Sequence, residues 1–108
     1  MALTRSFKAT VCARAESDPA FRSALLQEAV QALLQGDAAS GRSVLRDYIN
    51  ATIGFEALAE IVHTPSKSLM RMFGPSGNPT AENLVGVISA LQKHTGVHLE
   101  VRAISEPA

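Results

Sequence analysis

The sequence predicts an all-α protein, a compact bundle of about five helices that contains a helix-turn-helix and ends in a short C-terminal β-strand. Apolar residues recur every three to four positions through most of the chain, helix-capping residues precede these runs, and residues 97–102 alternate between apolar and polar. With 108 residues and 46% hydrophobic content, the chain is predicted to form one compact domain. Its parts are a helical platform over 1–53, the helix-turn-helix with a supporting helix over 54–96, and the strand and tail over 97–108.

The first segment, residues 3–15, is predicted to be a helix because Leu3, Phe7 and Val11 recur every four residues. Thr4 can cap the start of this helix. A strand stays open as an alternative, since β-branched residues occupy positions 10 and 11.

Two longer helices complete the platform. Asp18 is predicted to cap the first of them, with a proline in the first turn, and Gly36 allows a left-handed stop. Asp37 is predicted to cap the next helix, which runs to about Thr52, while Gly41 weakens its first turn. The apolar residues of these two helices are Phe21, Leu25, Leu26, Ala29, Val30, Leu33, Leu34, Val44, Leu45, Tyr48 and Ile49.

Two short apolar runs, Phe55 to Val62 and Pro65 to Phe73, follow with almost no chain between them. Helices joined so closely cross at a steep angle, which is typical of a helix-turn-helix. Thr64 is predicted to cap the second helix, with Pro65 in its first position. The predicted inner face consists of Leu58, Val62, Leu69 and Met72, with the small Ala59 where the helices cross.

The chain beyond the second short helix is predicted to hold a loop, a last helix and a strand. Two prolines in the loop 74–79 prevent further helix. Thr80 caps the last helix, and Gly96 ends it. The alternation from Val97 to Arg102 predicts one half-buried strand. If residues 3–15 form a helix, the chain contains no second strand, so this strand would pair with a copy of itself or with another protein, which favours a homodimer.

The run from Ala57 to Val101, and above all the sequence Gly77-Asn78-Pro79-Thr80, resembles prophage-type helix-turn-helix regulators that serve as antitoxins in addiction modules. The resemblance implies a small, helical, dimeric DNA-binding protein that represses its own operon and neutralises a RelE-like ribonuclease toxin. The chain departs from the family pattern at two positions. His63 replaces the usual turn glycine and Pro65 the usual capping serine, although histidine tolerates a left-handed conformation better than most residues.

Helical geometry identifies the side chains that would contact double-stranded DNA. With Leu69 turned inward, the outer face of the second short helix presents Ser66, Lys67, Met70 and Arg71. Lys67 or Arg71 can bind guanine O6 and N7 or a phosphate, and Ser66 can donate to a phosphate. Met70 can contact a thymine methyl group.

A helix-turn-helix scaffold that binds a protein and not DNA is the alternative. The formal net charge is zero, whereas nucleic-acid binding usually requires a basic surface. Glu56 and Glu60 also balance Lys67 and Arg71 within the segment 54–80. On their own, two cations four residues apart are as typical of a solvated helix face as of a face that contacts DNA.

No pattern in the sequence indicates an enzyme, a metal site or a cofactor. Cys12 is a lone cysteine, which predicts a structural role and a reducing compartment. His94 and His98 are spaced like a metal pair, but Gly96 between them should break the helix. No apolar run approaches the roughly 20 residues of a membrane span, and no signal peptide precedes the first helix, so a cytoplasmic protein without membrane contact is predicted.

Overall fold

A computed structural model describes residues 5–107 of the chain, apart from the side chains of residues 5–8 and 12. The described residues form six α-helices and no strand, so the all-α class is confirmed with six helices and not about five. Within the same residues, no helix combines the length and apolar character needed to cross a bilayer. The helices are α1 (Arg5–Ser17), α2 (Pro19–Leu34), α3 (Ala38–Ala51), α4 (Phe55–Val62), α5 (Ser66–Met72) and α6 (Ala81–Thr95).

The first segment is helical, which excludes the strand that its β-branched residues had left open. Val11 is half-buried, as expected for a residue on the inner stripe of this helix. The proposed cap Thr4, the stripe residues Leu3 and Phe7, and the side chain of Cys12 lie outside what the structure describes.

Three predicted caps are confirmed. The side-chain oxygens of Asp18, Asp37 and Thr80 each accept the backbone N–H three residues further on, at 3.1–3.2 Å. Gly36 and Gly96 follow the ends of α2 and α6 in the left-handed region, with φ of 87° and 72°. These bonds satisfy backbone groups that a helix end otherwise leaves without partners.

One hydrophobic core extends from α2 to α6. Helices α1, α2 and α3 pack against one another, and α4 packs against both α5 and α6. The Tyr48 hydroxyl donates to Thr95 Oγ1 at 2.8 Å and thereby joins α3 to α6, while burial raises the pKa of Tyr48. The core consists of Leu26, Ala29, Leu45, Tyr48, Ile49, Phe55, Leu58, Leu69, Phe73, Val87, Ala90 and Leu91.

Gly41 has a packing role that the sequence did not reveal. It is buried, and a Cβ atom there would lie 2.5 Å from Leu33 Cδ2 and 3.2 Å from Ala29 O. The absence of a side chain therefore lets α3 approach α2 closely, at the cost of a weaker helical turn.

The strand predicted over 97–101 does not form, because no second strand lies beside it among the described residues. The predicted alternation is seen in the exposure of the side chains from 97 to 100. Val97 and Leu99 are half-buried against the core, whereas His98 and Glu100 are exposed. A strand requires a neighbouring chain to accept and donate its backbone hydrogen bonds, so the sequence pattern alone could not produce one.

Replacing Gly86 by alanine is expected to raise the free energy of unfolding by about 0.5–1 kcal/mol. Gly86 is exposed within α6, and no atom lies within 4 Å of the position that a Cβ would take. Urea titration measures the change. Gly41→Ala is the matched control, since it should lower stability by forcing Leu33 aside. Equal effects of the two substitutions would contradict this account of the packing.

Candidate nucleic-acid interface

The connection between α4 and α5 turns at His63. This residue has φ 55° and ψ 44°, which places it in the left-handed region as the sequence had allowed. The N–H groups of His63 and Thr64 both donate to the carbonyl of Ala59, the latter at 3.1 Å. Helix α4 therefore ends at a left-handed residue whose N–H still bonds to the last turn, and α5 begins after only three residues.

The predicted cap of α5 is wrong by one residue. Thr64 Oγ1 donates to Val62 O at 3.3 Å and accepts no bond from α5. Pro65 stands at the cap position with ψ 139°, and its carbonyl accepts the first helical bond from Leu69 N at 3.1 Å. A cap residue needs an extended backbone, and Pro65 provides it, so Ser66 becomes the first helical residue.

The inner faces of α4 and α5 lie where the sequence predicts them. Leu58 is fully buried and Leu69 is 1% exposed. Val62, Met72 and Ala59 are half-buried and pack against the same core. The rings of Phe55 and Phe73 lie 6.4 Å apart and tilted by 50°, which ties the start of α4 to the end of α5.

The outer face of α5 carries the four predicted contact residues. Lys67, Met70 and Arg71 are exposed, whereas Ser66 is half-buried. Within the described part of the chain, no ion pair is found for either cation. Lys67 and Arg71 are thus available to an anion outside the protein.

Sequence reasoning missed the loop residues beside Arg71. Ser68 and Arg71 of α5 line a cavity of about 300 Å³ together with Ser76, Gly77 and Asn78 of the following loop. Ser76 and Asn78 are exposed, and their side chains can donate hydrogen bonds. The sequence signalled only a turn at these positions, because the fold of the loop decides which helix residue it lies beside.

A second pair of cations lies beside Phe73, which directly follows the C-terminal end of α5. Arg42 and Arg46, one turn apart on α3, line a cavity of about 330 Å³ whose other wall includes Phe73 and Pro75. Both arginines are half-buried. In the sequence, Arg46 lies 20 residues and Arg42 lies 24 residues before Ser66, the first residue of α5, so no local pattern could have placed them there.

Carboxylates lie near both groups of cations. Asp47 of α3 lines the same cavity as Arg42 and Arg46. Glu56 and Glu60 are exposed on α4, and Glu82 is exposed in the first turn of α6. No ion pair joins them to Lys67 or Arg71 in the described residues. The unpaired positive charge of this face is therefore that of Lys67 and Arg71 on α5.

The residues considered for metal binding lie apart from this face. His94 is in α6, whereas His98 follows the left-handed Gly96, so the two do not share a helix. Among the described residues, no three His, Cys, Asp or Glu side chains are grouped to hold a metal ion.

No protein-family model, curated protein or solved structure matches this chain. The resemblance at Gly77-Asn78-Pro79-Thr80 therefore stays a prediction, and the function has to be inferred from the arrangement of the chain's own residues.

Proposed function

We propose that this protein is a sequence-specific DNA-binding transcriptional regulator of the repressor type, in which α4 and α5 act as a helix-turn-helix. The observation that carries the proposal is the division of α5 into two faces. Leu69 is buried, while Lys67, Met70 and Arg71 are exposed and unpaired directly after a three-residue turn. A helix of this kind fits the major groove of B-DNA, which is about 12 Å wide.

Each exposed group of α5 has a distinct role in this proposal. Arg71 presents a planar fork of donors that can bind guanine O6 and N7 together. Lys67 is a point charge suited to a phosphate, and Met70 can contact a thymine methyl group. Ser66 is half-buried, so a single hydroxyl hydrogen bond to a phosphate is the contact open to it.

Contacts to the DNA backbone would come from residues flanking α5. The exposed Ser76 and Asn78 lie beside Arg71, and Arg42 and Arg46 lie beyond Phe73. Hydroxyl, amide and guanidinium groups in such positions orient a protein on duplex DNA without reading its sequence.

The zero net charge limits the affinity of one copy for DNA. We therefore include a homodimer in the proposal, since two copies double the phosphate contacts and can read a palindrome. A RelE-like toxin as partner rests on the resemblance alone, and a gene for such a toxin beside this one would support it. Repression would take place in the cytoplasm, where the sequence predicts the protein.

One observation favours a second function, a protein-interaction module without DNA binding. A cavity of about 400 Å³ separates the α4–α5 turn from α6, and Ile61, Met72 and Gly86 are among the residues that line it. Ile61 is 48% exposed, so apolar surface is open to a partner here.

Alanine substitutions on α5 test the DNA-binding proposal. Arg71→Ala is expected to weaken binding to DNA from upstream of the gene by roughly 1–3 kcal/mol and to relax the preference for one base. Lys67→Ala should weaken binding to all sequences equally and flatten its salt dependence, because a phosphate contact carries no sequence information. The measurement is a DNA titration of each variant at two salt concentrations.

Arg14→Ala is the matched control for lost charge. Arg14 is exposed on α1, which packs against α2 and α3 and lies away from α5. The melting temperatures of the two α5 variants should stay near that of the parent, because their substituted side chains face water. Arg14→Ala also removes an ion pair with Asp18 and a contact with the Phe21 ring, so its melting temperature is measured as well. If folded Lys67→Ala and Arg71→Ala proteins bind this DNA as tightly as the parent, α5 does not read DNA and the proposal fails. A folded parent that binds no DNA favours the interaction module.

A further inference from the structure

The C-terminal segment 97–104 has one edge of its backbone without partners. Leu99 N donates to Gln92 Oε1 of α6 at 2.9 Å, and among residues 5–107 no backbone–backbone hydrogen bond involves the segment after Gly96. In an extended chain, the N–H and C=O of one residue point to the same edge, and those of the next residue point to the opposite edge. When this segment is extended, the edge of Leu99 therefore faces α6, and the backbone groups of Glu100 and Arg102 face outward.

An apolar patch lies beside this free edge. Leu34 of α2 is 71% exposed, and Val101 and Ile104 are 82% and 83% exposed. All three line one cavity of about 310 Å³ between α2 and the segment. Large apolar side chains grouped in this way are typical of a surface that another chain covers.

We propose that a second copy of this chain covers Leu34 and Val101 of this patch, by pairing its own segment 97–104 antiparallel with the first around a twofold axis at Val101. Ile104 then lies on the opposite face of the strand, because the side-chain period of a strand is two. The two segments form a two-stranded ribbon that neither copy can form alone. The proposal concerns self-association and does not depend on DNA binding, so it is tested without DNA.

Charge complementarity selects this register. With Val101 on the axis, Glu100 lies opposite the partner subunit's Arg102, and the symmetry repeats the pair, while Leu99 lies opposite the partner subunit's Ala103. Opposite charges facing each other across strands are favourable, and like charges are unfavourable.

Other antiparallel registers, in which the twofold axis passes through a different residue, pair these charges less favourably. Centring the axis on Glu100 or on Arg102 places two like charges face to face. Centring it on Leu99 leaves Arg102 opposite a glycine. A shift by one residue in either direction sets Val101 opposite Glu100 or Arg102, because the side-chain period of a strand is two. In the proposed register, Ile104 is the one large apolar side chain of 98–104 that lies opposite a polar one, the partner subunit's His98.

The directions of the backbone N–H and C=O groups fit the same register. Glu100 and Arg102 have the outward-facing N–H and C=O groups, so each Glu100–Arg102 pair exchanges two hydrogen bonds. Val101 then stands opposite its own copy at a position without hydrogen bonds, where the two Cα atoms approach to about 4.5 Å. That separation lies within the range that a disulfide can bridge.

Charge reversal tests the pairing by light scattering at tens of micromolar protein. The parent is expected to be a dimer. Glu100→Arg or Arg102→Glu alone should raise the dimer dissociation constant by about tenfold, because two attractive pairs become repulsive. The protein with both substitutions should recover the parent constant. Glu106→Arg is the control, since it makes the same charge change opposite a glycine in the proposed register.

Cysteine cross-linking tests the register directly, in protein whose Cys12 has been replaced by serine. Val101→Cys should form an intermolecular disulfide on mild oxidation. Ala103→Cys should not, because each residue 103 lies opposite the partner subunit's Leu99. A monomeric parent, a single charge reversal without effect, a double reversal that fails to recover the dimer, or equal cross-linking at 101 and 103 would each overturn the proposal. Melting curves establish that every variant is folded.

Discussion

Replacing Leu69 by alanine is expected to lower the free energy of unfolding by roughly 2–5 kcal/mol. Leu69 is 1% exposed and belongs to the core that Leu58 and Phe73 also form. Truncating it removes buried apolar contacts and leaves a cavity that its neighbours fill only in part. A domain of this size has only about 5–15 kcal/mol of stability, so the melting temperature should fall by roughly 10 °C or more.

Met70→Ala is the matched control for Leu69→Ala. It truncates the next residue of the same helix, but Met70 is 43% exposed. A change in unfolding free energy within about 0.5 kcal/mol is expected, as for most surface substitutions. Thermal denaturation of the two variants beside the parent measures the difference. Similar melting temperatures for both would mean that α5 does not direct Leu69 into the core, and the assignment of its outer face would fail with it.

Replacing Gly77 by alanine is expected to destabilise the protein by about 1–3 kcal/mol, or more if the loop cannot move. A Cβ atom at Gly77 would collide with the end of α5, lying 2.5 Å from Arg71 O and 2.6 Å from Met72 C. These are backbone atoms of a helix whose Leu69 and Phe73 are buried, so they cannot shift as a flexible side chain can. The loop must therefore separate from α5.

Gly74→Ala provides the control within the same loop. Its Cβ would lie 3.4 Å from Arg71 O and 3.5 Å from Met70 O, which are ordinary contact distances. Gly77→Ala should melt clearly below Gly74→Ala, and it should also weaken DNA binding if Ser76 and Asn78 contact phosphates beside Arg71. Equal melting temperatures would show that the close approach of Gly77 to α5 is not required.

The close approach of Gly77 to the end of α5 is a physical reason for the glycine in Gly77-Asn78-Pro79-Thr80. The glycines with positive φ in the described residues are Gly36, Gly54 and Gly96, and Gly77 is not among them. Gly77 is needed for space and not for a left-handed backbone. The resemblance in sequence draws attention to this glycine, but it does not show whether the glycine is needed for space or for a left-handed backbone.

The sequence by itself determined where most helices begin and end. Asp18, Asp37 and Thr80 cap the helices that they were predicted to cap, and Gly36 and Gly96 end theirs in the left-handed region. Each of these outcomes depends on bonds between residues a few positions apart, and such bonds can be inferred from residue type and spacing. The burial of Leu58 and Leu69 follows from the same helical period.

Only the tertiary structure decided the features that depend on distant residues. Gly41 is required by Leu33 across the α2–α3 contact, and Arg42 approaches the end of α5 through the packing of α3. The segment after Gly96 has the pattern of a strand but forms none, since backbone hydrogen bonds in a strand need a second chain segment alongside. Residue type and local spacing do not show which segments distant in the sequence come into contact. The packing of the whole chain decides those contacts.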